Sequence, residues 1–128
     1  MQVKIETKTI QTIEGKQEII KQSGNGTIEK YEKGTILSWD VVEENLHFKM
    51  TILENKILLK NQTQNMIFEL GKTTKSQIQT QHGNLNLNIT TKHIEIVKDK
   101  QIKKIHLIYD IQIENMDSYE NEIEINIK

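Results

Sequence analysis

The chain has 128 residues, 35% of them apolar, with 17 basic against 18 acidic side chains and a net charge of −1. That length builds one domain, and no Arg with one Trp, three Tyr and two Phe leaves no basic, stacking surface for nucleic acid. Zero Cys excludes disulfides and fits a reducing compartment. No apolar run reaches the length of a membrane-spanning helix and Met1–Glu6 lacks a signal-peptide core, so a cytosolic protein with no membrane partner is expected.

Val3-Lys4-Ile5-Glu6-Thr7-Lys8-Thr9 alternates apolar and polar residues, which predicts a strand continuing toward Ile13. Glu14-Gly15-Lys16 is a turn, and Glu18-Ile19-Ile20-Lys21 starts the return strand. A short helix over Gln17–Gln22 is the alternative, but it has no cap and Ser23-Gly24-Asn25-Gly26 ends it at once. Those two glycines predict a bulge or loop before Thr27–Tyr31.

Glu32-Lys33-Gly34 turns the chain into Thr35–Val41, with Leu37, Trp39 and Val41 on one face. Glu43-Glu44-Asn45 turns it again into Leu46, Phe48, Met50 and Ile52, with His47, Lys49 and Thr51 outward. Glu54-Asn55 suits a two-residue hairpin, which sets Ile52 opposite Ile57 and Met50 opposite Leu59. Met66, Phe68 and Leu70 form the next inward set, ended by Gly71. Lys72–Thr80 is polar except for Ile78 and reads as an edge strand or loop.

From Gly83 to Ile89 the alternation is strict, and it resumes at Ile94 in the opposite parity after Thr90-Thr91-Lys92-His93. One inversion of phase predicts a bulge or a sharp bend. A turn centred on Asp99-Lys100 leads into Gln101–Ile113, which shifts phase between Ile102 and Ile105. After the loop Asn115–Ser118, Ile123, Ile125 and Ile127 close the chain. The pattern is all-β: a single domain, an antiparallel meander of about eight to ten strands closing into a barrel.

Several of these pieces together resemble a known family. They are Glu14-Gly15, Gly26-x-x-x-x-Tyr31, Trp39 before the acidic Glu43-Glu44, Met66-x-Phe68-x-x-Gly71, and His82-Gly83 entering Leu85-x-Leu87-x-Ile89-x-Thr91. Ile108-Tyr109-Asp110 completes the set. The order is similar to that of the YwiB-like family of small proteins from low-GC bacteria, and the absence of Ala, Arg and Pro fits an AT-rich genome. The resemblance implies a calycin, lipocalin-like barrel and carries no functional residues. The Gly-x-Trp signature of true lipocalins is absent.

Tyr31, Trp39, Phe48, Phe68, His82 and Tyr109 are the candidates for lining a ligand pocket, since a barrel of this size holds one small ligand or fills with side chains. Trp39 and Tyr109, with their polar handles, are expected at a wet boundary. A hairpin centred on Asp99-Lys100 sets His93 across from His106, a pair able to grip a metal. An exposed polar pair without a metal explains the same pattern, and no third ligand is evident. Glu29, Asp40 and Glu69 alternate with apolar residues and are expected outside; an inward carboxylate is what an enzyme would need. No nucleophile motif or phosphate loop appears, so neither enzymatic activity nor a cofactor is expected. The leading expectation is a barrel holding a small apolar ligand in its mouth. The rival is a filled barrel acting as an adaptor through its surface or an edge strand, as a homodimer.

Overall fold

The computed structural model describes Met1–Lys128. Ten strands follow one another: β1 (Gln2–Ile13), β2 (Lys16–Tyr31), β3 (Gly34–Val41), β4 (Leu46–Leu53) and β5 (Ile57–Lys60), then β6 (Gln64–Phe68), β7 (Thr73–Thr80), β8 (Gly83–Asp99), β9 (Gln101–Ile113) and β10 (Tyr119–Ile127). A single 3-10 turn, Val42–Glu44, joins β3 to β4. Each strand pairs antiparallel with its neighbours in sequence, and β1 pairs with β10, closing the barrel. Both termini and the β2–β3, β4–β5, β6–β7 and β8–β9 turns lie at one end, here the lower.

Period-two alternation decides what each face carries. Leu37, Trp39 and Val41 point inward from β3, and Ile105, Leu107, Tyr109 and Ile111 from β9. Ile123, Ile125 and Ile127 do so from β10, while Glu120, Glu122, Glu124 and Asn126 face out. The 22 buried apolar residues form one cluster inside the barrel. Burying each large aliphatic side chain contributes about 1.5–3 kcal/mol. Apolar inside and charged outside is the reverse of a lipid-spanning barrel. No helix is long and apolar enough to cross a membrane.

The β4–β5 hairpin has the predicted register, Ile52 opposite Ile57 and Met50 opposite Leu59. The predicted phase slips on β8 and β9 are both present. Lys92 is the extra residue between the pairs Thr91–Tyr109 and His93–Ile108, and Lys103 is the extra residue between Val97–Lys104 and Lys98–Ile102.

Other expectations are corrected. Ser23-Gly24-Asn25-Gly26 is neither loop nor bulge but continuous strand. Its glycines are explained by crowding: a Cβ on Gly24 would lie 1.9 Å from the Asp40 carbonyl oxygen, and one on Gly26 2.0 Å from that of Ser38. Lys72–Thr80 is a strand from Thr73, fully paired to β8 but meeting β6 at only Gln64–Ile78 and Asn65–Gln77. Leu70 does not join the core; it lies past the end of β6 and is exposed. The β8–β9 turn is centred on Lys100 alone, at φ 64°, because Asp99 pairs with Gln101.

Candidate functional site

The six pocket candidates do not converge on one cavity. Phe68 and Tyr109 meet inside the barrel, edge to face with centroids 4.8 Å apart. Trp39 and Phe48 stack at 5.1 Å on adjacent strands. Tyr31 is exposed at the lower end, and His82 is exposed in the β7–β8 turn at the upper end. Gly83 beside His82 has the positive φ, 112°, expected of a turn glycine. Trp39 and Tyr109 are not at a wet boundary: they are 4% and 2% exposed. The Tyr109 hydroxyl tolerates this because Asn121, also buried, donates Nδ2–H to it at 3.2 Å. Burial pushes that phenol up to about 12.

The concavities are open and mostly polar. One of about 460 Å³ lies over β2–β5, where Asp40 pairs with His47 beside Ser38, Lys49 and Gln62. One of about 500 Å³ at the lower mouth is framed by Leu53, Ile57, Leu70, Ile94 and Ile96 with Lys56 and Lys72. The three carboxylates in question stay outside: Glu29 is exposed, Asp40 is held by His47, and Glu69 pairs with Lys72 at 3.3 Å.

The outer face of β8 and β9 brings the two predicted histidines together, but not as direct partners. The one-residue turn at Lys100 and the extra Lys103 each shift the register by one, so that Glu95 faces His106 and His93 faces Ile108. His93 and His106 are diagonal neighbours, rings 5.2 Å apart. Glu95 is the third member that alternation with a symmetric turn had placed against Lys104. Ligand atoms of His93, Glu95 and His106 all lie within 4.8 Å of one another. On the other side, His106 Nε2 lies 2.6 Å from Glu122 Oε1. The bulge at Lys92 is what turns His93 outward, since Leu87, Ile89 and Thr91 before it and Ile94 and Ile96 after it all face in. Lys92 itself reaches Asp110 and Glu120, which raise its pKa.

A second outward feature is an edge. β1 pairs with β2 along its whole length, from Gln2–Thr27 to Ile13–Lys16. β3 pairs with β2 only from Asn25 to Tyr31. The stretch Lys16–Gly24 therefore overhangs, with no ladder partner on the β3 side. The Ile28 N–H goes to Met1 in line with β1, and alternation along the ladder then turns even-numbered residues of β2 toward β1. Gln17, Ile19 and Lys21 aim their N–H and C=O groups outward. Ile19 is 53% exposed, and its partner on the same outer face is Ile10. The composition of Glu18–Lys21 gave no signal for this; it depends on where β3 stops.

A closed, ten-stranded antiparallel barrel with a filled interior and polar outer face is the class of protein these features define. The chain belongs to the family described as a domain of unknown function, DUF1934, which it matches over residues 3–125. It is similar in structure to the ywiB protein from Bacillus subtilis, whose crystal structure aligns with a TM-score of 0.75 over 98% of this chain and 90% of that one, at 18% identity. The likeness at that identity is one of fold. None of the curated proteins matches the chain.

Proposed function

We propose that this barrel is a strand-addition module whose free β2 edge pairs with the same edge of a second copy, working as a homodimer in the cytosol. The observation that carries the reading is the overhang of β2 past its last β3 pair at Asn25, whose stretch Lys16–Lys21 is an edge without Pro or bulge; beyond it Gln22 reaches across to Glu44 and Gly24 lies against the Asp40 carbonyl. An unpaired row of N–H and C=O groups is a template for another strand.

A two-fold axis through Ile19 gives an antiparallel register with Gln17 opposite Lys21 and Glu18 opposite Ile20. Moving the axis to Glu18 or Lys21 would oppose like charges, which is destabilising. Centred on Ile19, the outer-face pair Ile10–Ile19 continues into Ile19–Ile10 of the second copy, an apolar row across the junction. The Phe68–Tyr109 contact supports a barrel whose interior is occupied by its own side chains rather than by a guest. Sedimentation analysis tests the reading. The expected result is a concentration-dependent dimer, lost in Ile19→Pro. That substitution removes an outward N–H and no bond to β1, and Pro is tolerated at a strand edge. A chain that stays monomeric at high concentration, or a proline variant that dimerises like the parent, overturns it.

A second reading has one observation in its favour. At the lower mouth the inward-facing Ile94 and Ile96 are only half-buried and, with Leu53, Ile57 and Leu70, give about 500 Å³ of concavity an apolar wall. That volume is within the range of small-molecule sites. A small apolar ligand would bind there rather than among the six aromatic and histidine candidates. Native mass spectrometry of the purified chain tests it: a bound small molecule lost in Ile94→Lys is expected, and a bare mass contradicts it.

A further inference from the structure

We infer that the outer face of β8–β9 is a binding site for a first-row transition-metal ion, zinc as the type, held by His93, Glu95 and His106. Two imidazoles and one carboxylate are the donor set of a three-ligand zinc site with an open fourth position. Glu95 and His106 face each other across the two strands, and His93 lies two residues along the same face. In a tetrahedral zinc site with nitrogen at about 2.0–2.1 Å, ligand atoms stand about 3.4 Å apart. Those here lie within 4.8 Å, so small rotations of surface side chains close the site.

Two further observations point the same way. The first is the contact from His106 Nε2 to Glu122 Oε1 at 2.6 Å. In the neutral ring that nitrogen carries the proton and donates it, which leaves the Nδ1 lone pair for a metal. A carboxylate holding the far nitrogen of a ligating histidine is the usual outer support of such sites, fixing tautomer and ring orientation. The second is charge. Lys92 is held by Asp110 and Glu120, and Lys104 by Glu124 at 3.2 Å. Neither lysine pairs with Glu95 or Glu122, so two carboxylates flank the imidazoles without a side-chain cation. Ile108 forms the apolar floor opposite His93. The ion would keep a position for water or for a donor from another molecule. Two imidazoles among the three donors suit zinc, copper and nickel rather than calcium or magnesium, which take oxygen ligands.

The test is a zinc titration of the tag-free full chain by calorimetry, with the visible spectrum of the cobalt-loaded protein as a second readout. One equivalent of zinc and a cobalt spectrum of low symmetry are expected. His93→Ala and His106→Ala should each abolish binding, and Glu95→Gln should weaken it at least tenfold. Glu122→Gln touches no metal, and as a positioning change it should cost roughly 10–100-fold in affinity. His47→Ala and His82→Ala should bind as the parent does. All these positions are on the outer face or in turns, and thermal melting of each variant without metal checks that it folds. No heat at zinc excess, or binding unchanged in His93→Ala and His106→Ala, overturns the site.

Discussion

The ring of Tyr109 on β9 stands edge-on to the ring of Phe68 on β6, at an interplanar angle of 64°. These strands are not neighbours in the sheet, so the contact crosses the interior and fills it. Phe68 is fully buried, and truncating it leaves a cavity that the surrounding strands cannot collapse. Phe68→Ala should cost about 3–5 kcal/mol, read by urea unfolding at constant slope. Tyr31→Ala, on an exposed ring at the lower end, should stay within about 0.5 kcal/mol of the parent. Equal losses at the two positions would contradict a filled barrel.

Tyr109 also makes the fold sensitive to alkali. Burial is the larger effect on its phenol, raising it from 10.0 to about 12, and the Asn121 hydrogen bond opposes it. The folded chain thus holds this proton after the unfolded chain has lost it. Its contribution is fully present below pH 10, falls as pH rises, and is gone above about 12. The full loss is roughly 2–3 kcal/mol. Unfolding free energies measured across this window should fall more steeply for the parent than for Tyr109→Phe. Parallel slopes would place the phenol in water.

Thr91 is fully buried on the inner face, and its Oγ1 has no hydrogen-bond partner. Burying an unpaired hydroxyl costs about 1–3 kcal/mol. Thr91→Val keeps the shape and removes the hydroxyl, so it should raise the melting temperature. A lower one would mean that the hydroxyl has a polar contact.

Gly26 shows how a neighbour decides a residue. Its Cβ would sit 2.0 Å from the Ser38 carbonyl oxygen and 2.8 Å from the Trp39 Cβ. Gly26→Ala must push β3 away and should cost about 1–3 kcal/mol or more. Gly83→Ala, in an open turn with only its positive φ at stake, should cost less. Thermal melting of both variants orders them.

Much of the barrel was legible in the residues. The inversion of parity between Ile89 and Ile94 required an extra residue, and Lys92 is that residue. The spacing from Ile52 to Ile57 left room for only a two-residue turn, so the β4–β5 register was determined too. What alternation does not carry is the partner's contribution. The turn at Lys100 and the bulge at Lys103 together moved His106 from His93 to Glu95. Trp39 and Tyr109 looked suited to a wet rim, but Asn121 satisfies Tyr109 from within the barrel. The β2 overhang arises because β3 stops at Val41 while β1 runs on to Ile13, a mismatch of lengths between strands far apart in sequence.

In the proposed dimer two chains join through Ile19. The chain has no Cys, so Ile19→Cys introduces its sole thiol. In the proposed register the two Ile19 residues form a hydrogen-bonded pair with Cα atoms about 5.5 Å apart, within reach of a disulfide. Mild oxidation of Ile19→Cys should give a covalent dimer rapidly and near completion on non-reducing gels, while Val42→Cys, 86% exposed but off the edge, should remain mostly monomeric. Equal, slow cross-linking of the two variants would contradict the strand-addition dimer.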